Sequence, residues 1–188
     1  MKVGITGGIG SGKSYICQRL LAQGIQVFDC DTEAKKLMRT SPMIRKQLTE
    51  LIGPNTYDTE GHLNKAAVAS FLLSSESNAK AIDAIVHPAV FEAFEQSGIN
   101  WMESAIIFES GAYKLVDKVI AVIAPKEIRL QRVMNRDNIS REKALDWMKR
   151  QLDQKEIIRR SDYVVINDGD TDIDNQLNKI IKQCNKQF

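Results

Sequence analysis

Val3-Gly4-Ile5-Thr6-Gly7-Gly8-Ile9-Gly10-Ser11-Gly12-Lys13-Ser14 sets a short apolar run, a glycine-rich turn and a lysine with a following hydroxyl in one continuous stretch. The run Val3 to Thr6 is short and rich in β-branched residues, which suits a strand buried on both faces. From Lys13 to about Ala22, Ile16, Leu20 and Leu21 fall at helical spacing. The turn therefore joins a strand to a helix, the context in which G-x-x-x-x-G-K-[ST] is a phosphate-binding loop. The glycines let successive backbone N–H groups converge on phosphate oxygens, and the helix adds its positive N-terminal end. Lys13 is expected to reach the β and γ phosphates and Ser14 to hold magnesium. Gly8, Ile9, Gly10, Ser11, Gly12 and Tyr15 belong to the same nucleotide site, so ATP and Mg2+ are the expected co-substrate and cofactor.

With 188 residues and 43% hydrophobic content, the chain can bury a sizeable core. A net charge of +2 is too small to make nucleic acid or a membrane surface the expected partner. Cys17, Cys30 and Cys184 are widely spaced and odd in number, so neither a disulfide framework nor a zinc site is indicated. The chain starts directly on the strand and phosphate loop, and no apolar run approaches membrane-spanning length. A cytoplasmic enzyme with a small-molecule substrate is the expectation, monomeric, with an oligomer as the alternative.

The remaining pattern alternates short apolar runs with helical ones. Gly24 is placed to close the first helix, and Ile25-Gln26-Val27-Phe28 starts a second strand that ends in acid at Asp29 and Asp31. Residues 33 to 52 read as helical with a break near Ser41-Pro42, Gly53-Pro54-Asn55 as a turn, and 65 to 97 as helices interrupted at His87-Pro88. Ala105-Ile106-Ile107-Phe108 reads as a buried third strand ending in Glu109. Val119 to Ala124, stopped by Pro125, reads as a fourth, and Tyr163 to Ile166 as a fifth. A charged helical stretch fills 126 to 160, Asn167-Asp168-Gly169 is a turn, and a closing helix runs from Asp172 onward. The fold class expected is α/β, a three-layer parallel five-stranded sheet of the phosphate-loop kinase type with a helical substrate-binding insert and a helical lid. One domain is expected over 1–188, its core about 1–30, 100–125 and 161–188, the insert about 31–99 and the lid about 126–160. Ligands should gather at the carboxyl ends of the strands, with the phosphate loop, Asp31, Glu109 and Asn167.

Phosphoryl transfer to an alcohol profits from a carboxylate that accepts the hydroxyl proton, and Asp29 and Asp31 are candidates for that base. Capping of the next helix by either acid or by Thr32 is the competing explanation. The stretch 126–160 holds eleven Lys and Arg against six Asp and Glu, a net of +5 in a chain whose total is +2. Within it Arg136 and Arg141 flank the turn-like Asp137-Asn138-Ile139-Ser140, where they could close on ATP and stabilise the transferring group. A solvated face with i,i+4 ion pairs accounts for most of the other charges. Glu109 could join the magnesium shell or cap the segment after it. His87, before Pro88 in an apolar setting, reads as a core histidine at a helix start. Asp58-Thr59-Glu60-Gly61 matches the D-x-x-G string of GTPase switches, but it follows a polar turn and no N-K-x-D string accompanies it.

The combination of Ile5-Thr6-Gly7-Gly8-Ile9-Gly10-Ser11-Gly12-Lys13-Ser14, Val27-Phe28-Asp29-Cys30-Asp31 and His87-Pro88 resembles the dephospho-coenzyme A kinase family. Phe108-Glu109, the run Gln131 to Asp137 with Ser140-Arg141-Glu142, Gln151, and Ser161 to Gly169 continue the likeness in order and spacing. The resemblance implies transfer of the γ-phosphoryl of ATP to the ribose 3′-hydroxyl of dephospho-coenzyme A, with Asp31 as base and Lys13 and Arg136 as catalytic groups. It implies that Arg141 and Asn167 contact ATP, with Asn167 by the adenine, and that His87 and Glu109 lie on the substrate side. Another small phosphate-loop kinase acting on a nucleoside or nucleotide is the runner-up, and an ATP-hydrolysing switch a third reading. Three points depart from the family's habit: Tyr15 replaces a common Thr, the proline usual before the apolar run Ala105-Ile106-Ile107-Phe108 is lacking, and Asp168 replaces a second Asn.

Overall fold

The computed structural model describes residues 1–185. The chain forms a sheet from β1 (Val3–Thr6), β2 (Val27–Asp29), β3 (Trp101–Glu103), β4 (Lys118–Ile123) and β5 (Tyr163–Ile166). Strand order is β2-β3-β1-β4-β5, a five-stranded parallel sheet with β1 at its centre. Side chains alternate across a strand, and β1 shows the use of that rule. Val3 and Ile5 point to the side where Ile16 and Leu20 of α1 (Lys13–Ala22) meet Leu177 and Ile180 of the last helix, together with Ile120, Val122 and Val165. Gly4 faces the other way, and the Ile107 side chain occupies the space its missing Cβ leaves. Gly24, at φ +81°, closes α1 in the left-handed conformation.

Two compact units result, residues 1–28 with 99–188, and Asp29–Gly98. The second is helical: α2 (Cys30–Thr40), α3 (Pro42–Ile52), α4 (Lys65–Ser74) and α5 (Glu76–Gln96). Ser41 caps α3 through Ile44, with Pro42 in its first turn, which explains the break at that dipeptide. α5 packs on α2, α3 and α4. The expected interruption at His87-Pro88 does not occur, because α5 runs unbroken with Pro88 inside it. Ile82, Val86, Val90 and Phe94 recur every fourth residue across that point and are all buried. One continuous apolar face outweighs the single hydrogen bond that proline removes.

The third strand also differs from expectation. Trp101-Met102-Glu103 pairs with Val3-Gly4-Ile5, whereas Ala105 to Phe108 form a tight turn in which Ser110 N–H bonds to the Ile106 carbonyl and Tyr113 N–H to that of Ile107. Ile107 and Phe108 are buried from the turn instead of from a strand, and a short apolar run cannot distinguish the two by periodicity. The charged stretch is three helices, α6 (Lys126–Asp137), α7 (Arg141–Lys149) and α8 (Gln154–Arg160). Asn138, the one non-glycine at positive φ among the described residues, ends α6, and Ser140 caps α7. α9 (Ile173–Asn185) closes the chain. The expected final helix extends over 186–188 as well, which lie outside the described residues.

Candidate active site

β1 delivers the chain to the carboxyl edge of the sheet, and the loop between it and α1 is built by close approach. Gly12, the N-cap of α1, sits at φ +91°, and a Cβ there would collide with the Asn167 side-chain amide. Asn167 follows β5, is buried, and donates from Nδ2 to the Ser11 carbonyl at 2.9 Å while its own N–H bonds to Ile123. Arg132 Nη1 reaches the Gly10 and Ser11 carbonyls at 3.4 Å each. Ile9 N–H is taken by Gln151 Oε1 and Ser11 N–H by the Gly8 carbonyl, so the amides left for a ligand are those at the end of the loop and the start of α1. The first intrahelical bond of α1 is Ile16 N–H to Gly12 at 3.2 Å. The amides of Lys13, Ser14 and Tyr15 thus have no acceptor within the helix, and no side chain caps them. That is an anion cradle.

Lys13 Nζ donates to the Gly7 carbonyl at 2.8 Å and lies 4.0 Å from Glu103. Burial pushes its ammonium below the usual lysine value. Glu103 and Cys17 pull it back up, and the charges of Arg129 and Arg136 press it down again. Glu103 ends β3 and is the acid that sequence reasoning missed. The signal was there, an acid after an apolar strand, but the strand was placed at 105–108. Glu109 consequently does not stand at a strand end. It is exposed and accepts the Leu152 N–H at 3.2 Å.

Asp29, not Asp31, caps α2, accepting Thr32 N–H at 3.0 Å and the Thr32 hydroxyl at 2.7 Å. Asp31 occupies the first turn of α2, largely exposed, with Lys35 as its ion-pair partner one turn on. His87 is inside α5 and not at a helix start, half-buried, stacked on Phe91 and 3.4 Å from Asp83. Arg136 is paired with Asp137 at 2.7 Å and Arg141 with Glu127 through two bonds of 2.8 and 2.9 Å. Both guanidiniums are substantially exposed. The structure thus gathers Gly8 to Tyr15, Glu103 and Asn167 around one loop, with the Arg136 charge felt at Lys13. Arg141 is held at the start of α6, and Asp31 and His87 belong to the other unit. Asp58 organises an exposed turn, accepting from Glu60 and His62.

An open groove of about 640 Å3 adjoins the loop, lined by Gly12, Tyr15, Arg132, Asn167 and the segment Gly169 to Asp174. Asp168 shapes its rim by accepting the Asp170 and Thr171 N–H groups and the Thr171 hydroxyl at 2.8 to 3.0 Å. Those donors hold its carboxyl below the usual range. For magnesium the donor set is a fair match. The ion keeps several waters and takes one or two protein oxygens besides those of phosphate, and the exposed Ser14 hydroxyl lies in the first turn among the unpaired amides. Among the described residues no cluster of three or more His, Cys, Asp or Glu could hold an ion by itself. No helix among them is long and apolar enough to cross a membrane.

Residues 1–172 match the model of the family described as Dephospho-CoA kinase. A Dephospho-CoA kinase of Bacteroides fragilis is 39% identical over 188 residues, covering 96% of this chain and 91% of that one. Among solved structures, TT1252 from Thermus thermophilus superposes with a TM-score of 0.85 at 28% identity, over 97% of this chain and 96% of the other. The Dephospho-CoA kinase from Campylobacter jejuni gives 0.69 at 22% identity over 100% and 99%.

Proposed function

The chain belongs to the dephospho-CoA kinase family, and on that premise we propose how its residues move the γ-phosphoryl of ATP to the ribose 3′-hydroxyl of dephospho-coenzyme A. This transfer is the last step of coenzyme A synthesis. The observation that carries the site assignment is the loop itself: buried carbonyls on Asn167 and Arg132, outward amides at the start of α1, and Lys13 folded against Gly7. A lysine resting on a neutral carbonyl at the edge of an anion cradle can exchange that partner for β- and γ-phosphate oxygens with little rearrangement. Gly8 to Tyr15 then hold the triphosphate, and the groove beside Asn167 takes the adenine. Ser14 would hold magnesium, with Glu103 supporting Lys13. The metal, when bound, supplies positive charge to the phosphate oxygens.

Asp31 accepts the 3′-hydroxyl proton as the new O–P bond forms and the bond to the ADP oxygen breaks. Asp29 is committed to Thr32, and Asp31 has only a solvent-exposed lysine partner, so Asp31 is the acid available for this work. Arg136 leaves Asp137 to meet charge that builds on the transferring group, and Arg141 follows from Glu127. The segment 126–160 acts as the lid, tethered by Glu109 at Leu152, and residues 29–98, with His87, receive the acceptor. A cytoplasmic, monomeric enzyme is the companion reading. The test is ADP release from ATP with dephospho-coenzyme A or with nucleoside monophosphates as acceptor. Release with dephospho-coenzyme A alone supports the reading. Preference for a monophosphate assigns the chain to another phosphate-loop kinase activity, and acceptor-independent release to an ATP-hydrolysing switch.

A further inference from the structure

Arg129 is 7% exposed, yet no carboxylate among the described residues lies within ion-pair distance of it. Its hydrogen bonds go to neutral oxygens, the Ile9 carbonyl at 3.0 Å and Gln154 Oε1 at 3.2 Å. Its guanidinium lies so close against Gly8 that a Cβ there would collide with it. The opposite side of the same peptide segment is also taken, because Ile9 N–H donates to Gln151 Oε1 at 2.6 Å. Both polar groups of Ile9 are therefore held by residues from the helical region after β4. The nearest opposing charge felt by Arg129, that of Asp153, stays beyond ion-pair distance, and a buried cation so weakly countered is costly to a folded protein. Such a cost is offset where an anion arrives, and the phosphate loop is where one does.

We propose that Arg129 is a positioning residue of the phosphate site, fixing the loop crest through Gly8 and Ile9 and supplying from behind it a positive charge that the bound triphosphate completes. The proposal rests on ATP occupying this loop. The Arg129 guanidinium packs directly behind Gly8 at the phosphate loop, and the downward push of its charge on the Lys13 ammonium agrees with that placement. Burial pushes the Arg129 guanidinium downward and outweighs the upward pull of the Asp153 charge, as expected of a cation with no carboxylate in contact. Gln151 and Gln154 satisfy donors on either side of it without neutralising it.

This arrangement has a signature of opposite sign from that of a structural brace. Arg129→Gln keeps an amide donor and removes the charge. The nucleotide-free variant should melt at or above the wild-type temperature, while the rise in melting temperature with ATP and magnesium shrinks by half or more. ATP and inorganic triphosphate should both bind about tenfold more weakly, the low end for a charge-assisted contact, and dephospho-coenzyme A should bind unchanged. Arg129→Lys should keep most of the rise, and Arg129→Met should lose it as Arg129→Gln does, so either neutral variant decides the matter. A lower melting temperature with an intact ATP rise in Arg129→Gln overturns the proposal and leaves a brace. No ATP rise in the wild type overturns the underlying placement of ATP.

Discussion

Gly12→Ala should destabilise the nucleotide-binding unit by two separable routes. The residue sits at φ +91°, and forcing an L-residue into left-handed space costs about 1–2 kcal/mol. The new methyl would also displace the Asn167 amide from the Ser11 carbonyl, and leaving a buried hydrogen-bonding group unpaired costs about 1–3 kcal/mol. The total is about 2–5 kcal/mol, and at about 2–4 °C per kcal/mol for a chain of this size the melting temperature should drop by about 10 °C. Urea titration of Gly12→Ala, Asn167→Ala and the double variant separates the routes. With Asn167 truncated the collision is gone, so Gly12→Ala should then cost only the backbone part. The cycle should show a coupling of about 1–3 kcal/mol. Strictly additive losses would refute the claim that the loop's shape depends on contact between Gly12 and Asn167.

Asp31→Asn should keep ATP binding and lose turnover by about 100-fold or more, since an amide cannot accept the acceptor's proton. Asp29→Ala should instead lower stability by about 0.5–2 kcal/mol as a lost helix cap, and turnover loss in the reverse order would move the base to Asp29. Arg136→Ala should cut kcat by about tenfold or more with a smaller change in ATP affinity, and Arg136→Lys should recover part of it; steady-state kinetics with equal effects on both quantities would remove Arg136 from the transition state. The carboxyls of Asp168, held by Thr171 and Asp170, and of Asp174, held by Arg19, lie below their ordinary values. Their stabilisation is in place above the unfolded carboxylate range, about pH 4, and is lost as pH falls through the lowered values. Urea midpoints at pH 7 and pH 3 should therefore differ less in Asp168→Ala/Asp174→Asn than in the wild type, and an undiminished difference would remove these carboxyls from the acid response.

Patterns that rest on one rule were legible in the sequence. β1, α1 and β5 are readable because a buried strand, a glycine turn with Lys13 and a spaced apolar stripe each have one reading. Ala105 to Phe108 misled because tertiary packing decides whether four apolar residues cover a sheet from a turn or lie within it. Here Gly4 invites Ile107 onto its face and Trp101-Met102-Glu103 takes the pairing edge. The error hid Glu103 and misplaced Glu109. Pro88 misled for a related reason, since the local break signal was weaker than the buried face it interrupted. The contest between Asp29 and Asp31 for the cap could not be settled from residue type, because both are good caps and only the backbone of Asp29 is extended as a cap requires. Arg129 was invisible within a charged helix until its burial set it apart.

Phosphorus NMR of the purified protein with ATP, magnesium and dephospho-coenzyme A follows the transferred group itself. The account predicts a new phosphomonoester resonance on the ribose 3′ oxygen, growing in step with ADP, and its absence when Lys13→Met replaces the wild type. Inorganic phosphate appearing in place of that ester, or undiminished transfer by Lys13→Met, would contradict it.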